Sequence, residues 1–147
     1  MILIDTHTHI YLRDFQIDRD EVIHSALEQG ILKMLLPNVD GKTINAMHSL
    51  ADKYPDNCLP MIGLHPTSVD GEYKRALREL RELLDKRKYW GIGETGIDLY
   101  WDKTYAIQQE ESFREHISLA KESGLPLIIH ARNSFDEIFR IMDLEND

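Results

Sequence analysis

The chain has 147 residues, 42% of them hydrophobic and 29% charged, which is the make-up of an ordinary globular domain and excludes a collagen-like, mucin-like or disordered protein. Seventeen Lys and Arg against 26 Asp and Glu leave a net charge of −9, so bulk charge does not steer nucleic acid here and any phosphate must be drawn in locally, for instance by a metal ion. The single Cys58 cannot form an intramolecular disulfide, the leading MILID lacks the basic lead and apolar run of a secretory signal, and no apolar stretch nears the roughly 20 residues of a membrane span; a reduced, cytoplasmic single domain over residues 1–147 is expected, with no membrane contact.

The first apolar run, Ile2–Ile4, predicts a strand that leads into Asp5, His7 and His9. Val22, Ile23, Ala26 and Leu27 keep the three-and-four spacing of an amphipathic helix, which Gly30 closes. A second strand is expected over Ile31–Val39, followed by a helix on Ile44, Met47, Leu50 and Ala51. The third strand, Leu59–Leu64, ends at His65 and precedes a helix on Ala76, Leu77, Leu80, Leu83 and Leu84. Tyr89–Ile97 is the fourth strand and carries Glu94; Phe113, Ile117 and Ala120 mark the next helix, closed by Gly124. Leu125–Ile129 is the fifth strand and runs into His130, and Phe135, Ile138, Phe139 and Met142 begin a fifth helix.

Strands apolar on both faces, alternating with helices at intervals of about 30 residues, are βα modules of a parallel sheet, so the fold class is α/β. Two architectures compete. A doubly wound sheet of five strands would be complete at this length, whereas a (β/α)8 barrel needs at least about 200 residues. Against the doubly wound sheet, His7 and His9 stand where a Gly-rich phosphate loop would follow the first strand.

Function is suggested by where the polar residues fall. His7, His9, His65, Glu94 and His130 are all expected at C-terminal strand ends, the edge on which βα proteins build their sites. A period of two puts His7 and His9 on one strand face about 7 Å apart, able to converge on one ion, and imidazoles with a carboxylate suit Zn²⁺, Mn²⁺ or a similar divalent ion. Singly, each has a bland explanation: a chance His-x-His, a hydrogen-bonded Asp5, a loop-capping Glu94, a turn histidine before Pro66, a core histidine at 130. Together at four strand ends they are better explained as a metal site. His24, His48 and His116 fall within helices, on or beside charged faces, and are expected to be structural or exposed; Trp90 and Trp101 are read as packing or loop-anchoring residues, with a lesser possibility that Tyr100 and Trp101 line the cleft.

Ile4-Asp5-Thr6-His7-Thr8-His9, Gly63-Leu64-His65-Pro66, Gly91-Ile92-Gly93-Glu94-Thr95-Gly96-Ile97-Asp98 and Ile129-His130-Ala131-Arg132 resemble, in order and spacing, the successive signatures of the TatD family of metal-dependent deoxyribonucleases. The resemblance covers the whole chain. It implies a TIM (β/α)8-type barrel of which only about the first five βα units are present, with one or two divalent ions (Zn, Mg or Mn) at its top. Carried over by position, His7, His9, Glu94 and His130 would hold metal, Glu94 bridging the pair as the catalytic carboxylate. His65 and Arg132 would lie near substrate phosphate, and Asp98 would support a loop. The implied activity is hydrolysis of DNA phosphodiesters, with removal of nucleotides from an end, the ions polarising the ester and lowering the pKa of a bound water.

The resemblance also implies a further metal-binding histidine and an aspartate on later strands, which this sequence lacks. Weak or no activity is therefore expected of this polypeptide alone, and closing the barrel calls for a second copy or a missing C-terminal half. Two other functions stay open. A metallo-amidohydrolase on a small C–N substrate shares the His-x-His but commonly has a carbamylated lysine where Glu94 stands; a non-catalytic metal-binding remnant is the other.

Overall fold

A computed structural model describes residues 1–146 of the chain. Five strands alternate with five helices: β1 Leu3–Asp5, α1 Arg19–Glu28, β2 Ile31–Leu36, α2 Ile44–Lys53, β3 Cys58–Pro60, α3 Tyr73–Leu84, β4 Ile92–Asp98, α4 Ala106–Ser123, β5 Leu127–Arg132 and α5 Phe135–Leu144. All neighbouring strands are parallel, β1 to β2 to β3 and β4 to β5, and a parallel bridge between Ile62 and Ile92 carries the pairing from the third strand to the fourth. Spatial order therefore follows chain order. A doubly wound sheet reverses direction at a switch point; this one does not, and the architecture is part of a barrel.

The expected elements are all present, with shifted ends. The second strand stops at Leu36, three residues short of Val39, because Pro37 has no N–H to continue the ladder. β4 and β5 run further outward than expected, pairing as far as Asp98 with Arg132, so Glu94 and His130 lie within strands and not at their ends. His7 and His9 lie beyond the last residue of β1, where Thr8 N–H still donates to Leu35 O at 3.0 Å. Gly30 and Gly124 take positive φ after their helices, as expected of C-terminal caps.

Main-chain approach explains the glycines of the fourth strand. A Cβ on Gly93 would meet Ile128 O at 2.7 Å, and one on Gly96 would meet His130 O at 2.1 Å. Both residues have φ between +130° and +145°, a region L side chains rarely enter. The strands can thus close up around Glu94 only because these positions carry no side chain.

Two apolar clusters support the sheet. The larger joins Tyr11, Ile23, Leu36, Met47, Ile62 and Ile92; the smaller sets Ile97 of β4 against Phe113 and Ile117 of α4 and Ile138 and Ile141 of α5. Strands covered on both faces are found only in the middle of the sheet. Leu3 and Ile4 of β1 are 41% and 57% exposed, and Phe135 and Phe139, two of the apolar residues that mark α5, are 61% and 60% exposed. No helix among the described residues is long and apolar enough to cross a membrane.

Candidate metal centre

The loop after β1, the residue after Leu64, and strands β4 and β5 bring His7, His9, His65, Glu94 and His130 together around one carboxylate. Glu94 is 6% exposed, and a carboxylate buried to that extent needs charge or hydrogen-bond partners. It has them on both oxygens. Oε2 lies 3.0 Å from His7 Nε2 and 3.2 Å from His9 Nε2, while Oε1 lies 3.1 Å from His130 Nδ1 and 3.7 Å from His65 Nε2. The nitrogens also converge on each other, His7 Nε2 to His9 Nε2 at 3.1 Å and His65 Nε2 to His130 Nδ1 at 3.1 Å.

This geometry gives two groups of donors, His7 with His9 and Glu94, and His65 with Glu94 and His130, each with its ligand atoms within 4.8 Å of one another. Lone pairs aimed at one another and at a carboxylate oxygen require a proton or a cation between them. The donor set fits a divalent metal of the zinc or manganese type.

Hydrogen bonds on the far side of each ring decide which nitrogen offers a lone pair. His9 Nδ1 lies 3.1 Å from both Pro37 O and the Tyr11 hydroxyl, and the hydroxyl itself donates to Pro37 O at 2.5 Å. The proton of His9 therefore sits on Nδ1, and Nε2 is bare toward Glu94. His130 Nε2 donates to Asp98 Oδ2 at 2.9 Å, which leaves Nδ1 bare toward Glu94. His65 is the reverse. Its Nδ1 accepts from Thr67 N–H at 3.2 Å, so its proton sits on Nε2 and points a donor at the centre. The network thus separates His65 from His9 and His130, despite similar distances.

Those are the tautomers of the neutral rings; with no cation at the centre, a second proton takes its place beside Glu94. Burial raises the Glu94 carboxyl, but hydrogen bonds from the His130 and His9 rings in their protonated form outweigh it and hold the acid well below its ordinary range. Burial pushes His65 down to about 4, so its ring is neutral near pH 7. The hydrogen bond to Glu94 raises His130 against the opposing effect of burial, with Asp98 adding to the rise. Asp98 is lowered: burial opposes this, and the N–H of Tyr100 with His130 overcomes it.

Asp5 is half-buried and accepts from His7 N–H at 3.0 Å, a local turn contact. Asp98 does support its loop, its Oδ1 accepting from Tyr100 N–H at 3.0 Å, and it also orients His130, a contact between residues 32 apart that local pattern does not reveal. Arg132 is exposed, its guanidinium over the Tyr100 ring at 3.9 Å from the centroid. His24 is exposed, and His48 lies 2.8 Å from the Tyr89 hydroxyl. His116, expected on or beside a charged face, is instead fully buried, its Nε2 accepting from Leu64 N–H at 3.0 Å. Tyr11 and Asn38 were not singled out; Asn38 Nδ2 donates to Gly63 O at 2.9 Å, and Asn38 exchanges main-chain hydrogen bonds with Gly93 and Glu94. An asparagine inside the apolar run Leu35 to Val39 was the available signal.

The family described as TatD related DNase matches residues 4–147. The chain belongs to that family. Among the relatives it matches, an uncharacterized metal-dependent hydrolase, YabD of Bacillus subtilis, is 33% identical over 98% of this chain and 56% of its own length. A 3′-5′ ssDNA/RNA exonuclease TatD of Erwinia tasmaniensis is 29% identical over 95% of this chain and 54% of its own. The crystal structure of the TatD homologue YJJV from Escherichia coli superposes with a TM-score of 0.88 at 27% identity, over 98% of this chain and 56% of that one. The chain thus spans about half the length of the TatD relatives it matches.

Proposed function

We propose that the centre is the metal-binding and catalytic half-site of a hydrolase that cleaves phosphodiester bonds of single-stranded DNA from an end. The observation that carries this is Glu94, one buried carboxylate whose two oxygens face two separate sets of imidazole nitrogens. His7 and His9 with Glu94 Oε2 would hold one ion, and His130 Nδ1 with Glu94 Oε1 would hold the second. Bound there, divalent ions would supply polarisation of a phosphodiester, activation of a water and neutralisation of charge on phosphoryl oxygens. His65 has a different role: its Nε2–H, neutral and aimed at the centre, is a donor for a phosphate oxygen. Asp98 fixes the His130 ring, and Pro37 O with Tyr11 fixes His9, so the ligands are oriented before substrate arrives. Glu94 argues against the metallo-amidohydrolase reading, which commonly uses a carbamylated lysine there.

The nucleic-acid substrate and the 3′-to-5′ direction rest on the relatives' names. The test is incubation of 5′-labelled single-stranded DNA with protein in molar excess and Mg²⁺ or Mn²⁺. The reading expects a ladder of stepwise shortened products that chelation and Glu94→Gln each abolish. Products unaffected by Glu94→Gln contradict it.

A further inference from the structure

Beside the centre, on the loop that leaves β4, stand two exposed aromatic rings and a cation with no structural duty. Tyr100 is 51% exposed and Trp101 69% exposed, their centroids 4.9 Å apart and their planes at 87°. The Arg132 guanidinium lies 3.9 Å from the Tyr100 centroid and 5.0 Å from that of Trp101. Among the described residues no carboxylate pairs with that guanidinium. Large rings left in water beside a buried polar site are a poor way to use apolar surface unless something covers them.

The cluster is held in place. Asp98 Oδ1 accepts from the N–H groups of Tyr100 and Trp101 at 3.0 and 3.4 Å, Gln109 Oε1 accepts from Asp98 N–H at 2.8 Å, and Leu99 N–H donates to Arg132 O at 2.9 Å. Asp98 and Arg132 are register partners two residues outward from the pair Gly96 and His130, which sets the cluster about 7 Å beyond His130 along the strands. Trp101 also borders a cleft of about 280 Å³ shared with Pro66, Thr67 and Asp98. The same Asp98 that orients His130 therefore also fixes the loop that carries the rings.

We propose that Tyr100, Trp101 and Arg132 form a stacking platform for a nucleobase, seating the nucleotide next to the phosphodiester presented to Glu94. The inference rests on the nuclease reading and adds to it the base as a recognised group. Stacking suits this protein because it does not depend on net charge, which is −9, and because every base has a π-face, so it grips a strand without reading its sequence. It also requires unpaired bases, and so selects single strands over duplex.

The chain has two tryptophans, so Trp90→Phe leaves Trp101 as the sole indole reporter. In that background, with Ca²⁺ as counter-ion, the platform expects an eight-residue oligothymidylate to quench the fluorescence and an abasic strand of equal length to leave it unchanged. By anisotropy of labelled strands, Trp101→Ala should weaken oligothymidylate binding by about 5- to 150-fold, the range for loss of one stacked base. Trp101→Phe should restore most of it, and the abasic strand should bind wild type and Trp101→Ala alike. Equal binding of oligothymidylate by wild type and Trp101→Ala overturns the platform and leaves the nuclease reading standing. Failure of wild type to bind either strand overturns both.

Discussion

His116 offers a test of how the centre is supported from below. It is fully buried on α4, donates from Nδ1 to Ser112 O at 2.7 Å, and accepts the N–H of Leu64, the residue before His65. Acceptance requires the neutral ring, and burial holds its pKa down to about 4 against 6.5 in the unfolded chain. The unfolded state therefore takes up a proton below 6.5 that the folded state refuses until about 4. Stability from this group is complete above pH 6.5 and is lost as pH falls toward 4, by about 3 kcal/mol in all. Replacing His116 by Leu strands the Leu64 N–H, at a cost of about 1–3 kcal/mol at pH 7, but removes the titration. Urea unfolding of wild type and His116→Leu at pH 7, 5.5 and 4.5 reads both effects, since the other titrating groups are common to the two proteins. The variant should be the less stable at pH 7, and the gap should close or reverse by pH 4.5. A gap that stays constant with pH refutes the assignment of a neutral, acid-resistant ring.

Two further substitutions probe the site's supports. Asp98→Asn removes the charge facing His130 Nε2 and should lower affinity at the Glu94–His130 position about 10- to 100-fold while sparing the His7–His9 position; calorimetric titration with Mn²⁺ or Zn²⁺ separates the two. Gly96→Ala places a Cβ 2.1 Å from His130 O at a positive φ, and should cost more than about 2 kcal/mol in urea unfolding; a smaller loss shows that β5 can retreat.

The alternation of apolar runs and helical periods carried the βα order because each strand's burial and each helix's stripe leave a local imprint. The boundaries did not follow from it. Pro37 ended β2 through a missing N–H, and β4 and β5 ran on to Asp98 and Arg132 through pairing with one another, a contact between residues more than thirty apart. The centre was legible as residue types on the outer parts of successive strands, and all five residues do converge, although Glu94 and His130 stand within β4 and β5 and not at their ends. The ring tautomers were not legible: His9 depends on Pro37 O, His130 on Asp98 and His65 on Thr67, and only the folded chain brings the first two pairs together. His116 is structural, as expected, but its place in a helix gives no sign of its burial or of the Leu64 amide above it. The exposure of Phe135 and Phe139 likewise shows that an amphipathic pattern names the apolar face without saying what covers it.

The central claim is that one carboxylate serves two metal positions. Metal content after loading with Mn²⁺ or Zn²⁺ and dialysis tests it directly in wild type, Glu94→Gln and His24→Ala. Bound metal is expected in wild type, the same content in His24→Ala, whose ring is exposed, and loss from both positions in Glu94→Gln. Metal content in Glu94→Gln equal to that of wild type would contradict it.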